Sequence, residues 1–304
     1  MGTYNKKNKI WKNIFMITTV LFLVISLVLG AVVFLNWDYI SFKALMTQRY
    51  LHTDLLDELI NEHVGVEPKG DFLKYFDNLS ITAVADMINA TGRDYYTFQY
   101  NPSQYESYSS GRSEKAAQSH IKELTPDTVY MLLTNFTDET LDFFTNSVDT
   151  IKSYDNLVLD LRDNGGGDIN VILKIADNFV DDGTVMLREF RRLKTTDIKA
   201  KSEKTLAFEN LVILQNGHTA SASEQLITVL TYTLDGVTTV GTPTYGKYVG
   251  QTSIALLRGF YVRATTLEWI APDGTELPEE GIIPDRSYTD EDDIITYVLE
   301  AILN

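Results

Sequence analysis

The sequence predicts an α/β protein carried behind one membrane-length helix, and three observations lead there. From about residue 128 onward, short apolar runs of strand length alternate with segments of helical spacing, the pattern of a layered sheet with crossover helices. An uncharged stretch from Ile14 to Leu35 stands apart from everything after it. The composition is otherwise that of a globular chain, 44 % hydrophobic and 22 % charged over 304 residues, with no cysteine to staple it.

The N-terminal stretch follows Lys6, Lys7, Lys9 and Lys12 and runs 22 residues. That is about 33 Å as a helix, the thickness of a bilayer's hydrocarbon core. Trp11 and Trp37 bracket it at interfacial depth. With all four cations on one side, the positive-inside rule puts residues 1–13 in the cytoplasm as a basic tail. Residues 14–35 are then a single-pass signal-anchor in the plasma membrane, and the remainder is extracytoplasmic. A cleavable signal peptide ending near Gly30-Ala31 is the competing reading, although the apolar run continues past it to Leu35.

Residues 36–110 form the next segment. Leu51, Leu55, Leu56, Leu59 and Ile60, then Ile81, Val84, Ala85 and Ile88, recur at helical spacing, with Asp54, Glu58 and Glu62 on the polar side. Thr91–Ser110 is rich in Tyr, Ser, Asn and Gly and reads as an irregular connection with short strands. In residues 111–304, strand-like runs at 128–134, 156–161 and 211–214 alternate with helical spacing at 139–151, from Ile169, and at 222–234. Asp290 to Asp293 open a last helix with charge that suits its N-terminus.

Charge and residue counts exclude several functions. The net charge is −16, and residues 36–304 alone carry 22 basic and 42 acidic side chains. Such a chain is a poor partner for nucleic acid, and lipid binding beyond the anchor is not expected. Without cysteine there is no thiolate nucleophile or metal thiolate, and only His52, His63, His120 and His218 could supply an imidazole.

Three loops at the ends of strand-like runs could carry chemistry. Asp160-Leu161-Arg162-Asp163-Asn164-Gly165-Gly166-Gly167 can aim successive N–H groups at one point, as an anion cradle does, though glycine turns between strand and helix are common. No Gly-Lys-Ser/Thr follows, which disfavours a nucleotide P-loop. Thr219-Ala220-Ser221-Ala222-Ser223-Glu224 sets a hydroxyl at a helix N-terminus, where backbone donors favour a developing anion; a capping box is the plain alternative. In Gly241–Gln251 a lysine stands between glycine turns, and only burial would keep such an amine neutral enough to act as a base. His218 lies three residues before Ser221, but no acid is expected near it to orient the imidazole.

Taken together, "VLDLRDNGGG", "VILQNGHTASASEQL", "VGTPTYGKYVGQ" and "APDGTELPEEGIIPD" resemble, in order and spacing, the carboxy-terminal processing peptidases, or tail-specific proteases. The resemblance covers most of residues 128–304, and "GRDYYTFQYNPSQYESY" is similar to the segment after that family's N-terminal helices. It implies a crotonase-like (ClpP-like) α/β protease core and serine endopeptidase activity on a polypeptide substrate. It implies Ser221 as nucleophile, Lys247 as general base and Gln251 as the group orienting the lysine. It implies an oxyanion hole from the N–H groups of Gly166 and Ala222, and supporting roles for Glu224 and Thr244. No cofactor and no metal are called for.

The chain departs from that family in one large respect. Most relatives insert a PDZ domain before the protease core, yet only 19 residues separate Tyr108 from the run at Thr128, and a small domain needs about 50. Tail recognition and PDZ gating are therefore in doubt, and an adaptor could replace that domain. Thr219 stands where serine is usual and Tyr248 where glycine is frequent. A catalytically silent scaffold of the same fold and a serine esterase are the alternatives.

Overall fold

The structure, a computed structural model, describes residues 2–56, 78–290 and 293–303. It divides into two compact units, Met1–Pro102 with Ser253–Ala264, and Ser103–Thr252 with Thr265–Asn304.

In the first unit, helix α1 runs Gly2–Leu35, and within Lys9–Leu35 an 18-residue window has mean hydropathy 2.8 with no residue buried. That length and composition suit a membrane span, and a signal sequence has the same character. A single residue, Asn36, separates α1 from α2 (Trp37–Gln48). The Asn36 N–H donates to Val32 O, and its own carbonyl accepts from Ile40 N–H, so the i→i−4 ladder continues across the junction. Phe42, Leu45 and Met46 of α2 bury against Tyr50, Leu55, Leu256 and Val262, and against Ile81 and Ile88 of α3 (Asn78–Ala90). Buried Asp94 accepts from Tyr50 Oη (3.0 Å), Thr97 Oγ1 (2.6 Å) and Tyr96 N–H (2.8 Å). Burial, helped by the Asp94 charge, pushes the Tyr50 hydroxyl far above its ordinary pKa. The helical spacing expected at Glu58, Leu59, Ile60 and Glu62, together with His63, lies outside the described residues.

The irregular connection expected up to Ser110 is corrected in its second half. After β1 (Phe98–Tyr100) the chain enters helix α4 (Pro102–Ala116), with proline at the first helical position. Its exposed residues are Ser, Tyr, Glu, Gly and Lys around the whole circumference, so no apolar stripe marked it as a helix. With Thr137, Asp138, Glu139 and Asp168, α4 walls a polar recess of about 240 Å³.

The second unit is built on a six-stranded sheet ordered β11-β8-β7-β4-β3-β2. These are β2 (His120–Thr125), β3 (Thr128–Leu132), β4 (Asn156–Asp160), β7 (Asn210–Gln215), β8 (Val237–Gly241) and β11 (Arg286–Ser287). All pairings are parallel except β2 with β3. Central strands NLVLD and NLVILQ are almost wholly buried, as strands covered on both faces must be. Leu157, Leu159, Leu211 and Ile213 face one core with helices α5 (Asp138–Ile151), α6 (Ile169–Ala176) and α7 (Ala222–Thr233). Val158, Val212 and Leu214 face the other, closed by Ile294 and Val298 of α8 (Ile294–Ala301). The predicted strands and crossover helices are thus present.

A second, antiparallel sheet was not foreseen. It joins five strands: β1, β5 (Val185–Arg191), β6 (Lys194–Lys199), β9 (Val249–Ala255) and β10 (Tyr261–Ile270). Charged residues interrupt VMLREFR and KTTDIK on both faces, so neither run shows clear alternation.

Candidate active site

The parallel register brings the loops after β4, β7 and β8 to one edge, the carboxyl ends of the strands, where open α/β sheets form their sites. Asn156 pairs with Asn210 and Asp160 with Leu214, so the glycine loop and the serine loop leave the sheet side by side.

The serine loop is tied down at nearly every residue. Thr219, fully buried, donates its hydroxyl to Leu161 O (2.8 Å), and its Oγ1 accepts Asn216 N–H (2.9 Å). Ala220 N–H and the Ser223 hydroxyl both donate to Asn164 O, at 3.0 and 2.8 Å. Ser221, half-buried at the N-cap of α7, is held at φ 57°, ψ −123°, a conformation that costs a non-glycine residue about 1–3 kcal/mol. The strain turns the hydroxyl-bearing residue sharply between strand and helix. Among the described residues none accepts from the Ala222 N–H, the next amide in the first turn.

Glu224 is the hub. It is buried, and its Oε2 accepts from the N–H groups of both Ser221 (2.7 Å) and Lys247 (2.8 Å). Its Oε1 accepts from Gly246 N–H (2.6 Å) and Thr244 Oγ1 (2.7 Å). One carboxylate oxygen therefore joins the backbones of Ser221 and Lys247, residues on different loops. Tyr245 N–H to Thr219 O (2.9 Å) adds a direct tie. The lysine loop is braced in turn by residues 279–282. Thr244 Oγ1 accepts Ile282 N–H, and Tyr248 Oη donates to Glu279 Oε1 (2.8 Å), which gives the tyrosine at this position a structural role. Lys247 and Gln251 are half-buried, and the Gln251 amide donates to Val249 O at 3.3 Å.

Gly166 lies directly against Ser221. With φ +94°, a Cβ added there would meet Ala220 O at 2.6 Å, Ala222 N at 2.8 Å and Ser221 Cβ at 2.9 Å. Only glycine fits. Its N–H, which the family resemblance assigns to an oxyanion hole, donates here to Asn164 Oδ1 (2.9 Å). Asn164 is itself fully buried and donates to Leu133 O at 2.8 Å. Below the loop, Arg162 grips buried Asp160 through Nε and Nη2, and Tyr130 Oη donates to the same carboxylate at 2.8 Å. Burial, with the Asp160 charge, raises the Tyr130 hydroxyl well above its usual pKa.

One expectation is overturned. An acid does stand beside His218: Asp163 Oδ1 lies 2.9 Å from its Nδ1, and Asn216 is hydrogen-bonded to Asp163 and to the His218 N–H. The two residues are 55 apart in sequence and meet because β4 and β7 are neighbours. Asn164 and Asn216 were not singled out from the sequence. The place of Asn164 immediately before three glycines was the available signal.

A model of peptidase family S41 matches residues 127–288, which is more than half of the chain and includes all these loops. The chain belongs to peptidase family S41. Among its S41 relatives, the carboxy-terminal processing protease CtpA of Bacillus subtilis (strain 168) is 29 % identical over 155 residues, 50 % of this chain and 33 % of that one. A probable CtpA-like serine protease of Staphylococcus epidermidis (strain ATCC 12228 / FDA PCI 1200) is 31 % identical over 137 residues, 43 % of this chain and 27 % of that one. The chain thus spans about a third or less of the length of these relatives. Among solved structures, a photosystem II D1 C-terminal processing protease aligns with TM-score 0.50 and 25 % identity over 57 % of this chain and 48 % of its own. A lipoprotein from Streptococcus agalactiae shares the fold more extensively, TM-score 0.66 over 88 % of this chain and 96 % of its own, at 14 % identity. The fold is the mixed α/β fold of S41 proteases.

Proposed function

We propose that the chain is a membrane-anchored serine endopeptidase working through a Ser221–Lys247 dyad on a crotonase-like core. The observation that carries this reading is the Glu224 oxygen shared by the Ser221 and Lys247 amides, with Ser221 strained at a helix N-terminus. A carboxylate in that position ties the two backbones to one atom.

In the proposed reaction the neutral Lys247 amine takes the Ser221 proton as the hydroxyl oxygen attacks a peptide carbonyl. The Ala222 N–H and the α7 dipole stabilise the resulting oxyanion. The Gly166 N–H joins them by exchanging its bond to Asn164 for one to the oxyanion. One such donor is worth about 3 kcal/mol in the transition state. The lysine then protonates the leaving amine, and water releases the acyl group with the same base. Gln251 orients the amine, and Thr244 acts through Glu224. The substrate is a polypeptide. Residues 14–35 anchor the chain, with the catalytic domain extracytoplasmic. On the reading that the 19 residues between Tyr108 and Thr128 are too few for a PDZ domain, substrate delivery falls to an adaptor or to the site itself.

The test uses the full chain in detergent, with Ser221→Ala as control, an unstructured protein as substrate and mass spectrometry of the fragments. Cleavage by the wild type alone supports the protease. Reaction with a serine-directed fluorophosphonate and turnover of esters but not peptides would favour an esterase. No reaction with the probe by a folded chain would favour the silent scaffold.

A further inference from the structure

The β5–β6 hairpin ends in a two-residue turn: Arg191 pairs with Lys194, leaving Arg192 and Leu193 at the tip. Leu193 is 99 % exposed, the most exposed large apolar side chain among the described residues. Its neighbours on either side are Arg191, Arg192 and Lys194. The two strands and the turn between them carry five basic and two acidic side chains, in a chain whose net charge is −16. Two of the cations are paired within the hairpin, Arg191 with Glu189 and Arg188 with Asp197.

Turn chemistry does not explain this tip. A two-residue hairpin loop favours glycine or asparagine where φ is positive, yet Arg192 stands there at φ 51°. Protection of an exposed edge accounts for Lys194 and Lys199 on β6, since edge strands are commonly guarded by lysine. It does not account for a bare leucine between two cations.

We propose that this tip is a docking finger for an anionic phospholipid surface. Leu193 enters the boundary between headgroups and acyl chains while Arg192 and Lys194 meet the phosphates, the division of labour of an interfacial anchor. An acidic peptide would be held by the cations without an apolar residue at the extreme tip. A second copy of this acidic chain would attract the cations but offers the leucine no apolar seat. The overall negative charge conceals the finger because basic residues are segregated onto one hairpin. The inference rests on the anchoring reading above, which brings a bilayer within reach.

The chain has no cysteine, so Leu193→Cys in the full chain takes a single bimane label. The labelled chain is reconstituted in nanodiscs of phosphatidylcholine, with or without phosphatidylglycerol. The expected result is a blue shift only with phosphatidylglycerol, reversed by high salt and absent from a label at Asp235→Cys in the exposed loop after α7. Arg192→Glu and Lys194→Glu should each lower the docked-to-undocked ratio by about fivefold or more. A silent label overturns the proposal. So does an equal shift in neutral lipid, a shift that depends on protein density, or one produced by polyglutamate without lipid. Co-elution of chain and disc reports the anchor separately. If the chain leaves the discs, the anchor fails, and the same label is read with vesicles added in solution.

Discussion

Replacing Glu224 with glutamine changes one oxygen for an NH2 group and alters little else in volume. The carboxylate accepts four hydrogen bonds, two at each oxygen, from three backbone amides and the Thr244 hydroxyl. The NH2 end of the new amide is best turned toward Gly246 and Thr244, where the threonine hydroxyl can rotate and accept from it but the Gly246 N–H loses its acceptor. Hydrogen bonds to a charged acceptor are worth about 1.5–3 kcal/mol each and those to a neutral one about 0.5–1.5, so one lost bond and the weakening of the other three cost about 3–6 kcal/mol before compensation. Neutralising the buried group also removes its desolvation penalty, which leaves a net cost of about 3 kcal/mol. At about 2–4 °C per kcal/mol for a unit of this size, Glu224→Gln should melt about 6–12 °C below the wild type. Thermal melts by circular dichroism on the full chain in detergent measure this. Thr244→Val removes one of the four donors and the acceptor of Ile282 N–H, so the double variant should cost less than the sum of the singles. A Glu224→Gln protein melting within about 2 °C of the wild type would refute the claim that these bonds hold the two loops together.

Gly166→Ala should abolish fluorophosphonate labelling of Ser221, because the new methyl would sit 2.9 Å from Ser221 Cβ at a φ of +94°; unchanged labelling would show that the glycine loop does not abut Ser221. Lys247→Ala should remove peptide turnover while leaving circular dichroism unchanged, and full activity in that variant would end the dyad assignment. His218→Ala should keep most turnover, because its contact with Asp163 is a solvent-exposed pair worth at most about 1 kcal/mol. Loss of turnover there would move the base from Lys247 to His218. Burial, with the charges of Glu276 and Glu279, raises the Glu268 carboxyl above its ordinary pKa. The folded state therefore holds that proton more tightly, and the associated stability disappears as pH climbs from the ordinary carboxylate range through the raised value. Glu268→Gln should melt higher than the wild type at neutral pH, with the difference vanishing under acid conditions.

Much of the molecule was legible without coordinates because its central elements are strongly patterned. Parallel strands such as NLVLD and NLVILQ are buried on both faces and read as continuous apolar runs, and their helices carry a 3.6-residue period. The loops of the site were visible because glycine triples and small residues around a serine are local in sequence. The antiparallel sheet was not visible, since KTTDIK on an exposed edge owes its conformation to pairing with β5 rather than to its own composition. Helix α4 escaped for a related reason: with polar residues all round, nothing periodic marks it. What only the tertiary structure decided are contacts between residues far apart in the chain. Register between β4 and β7 sets Asp163 against His218, and the fold carries the Lys247 amide to the carboxylate that also holds Ser221. Composition and spacing encode which residues are available for chemistry. Which of them meet depends on strand order, a property of the whole sheet that no local window of sequence contains.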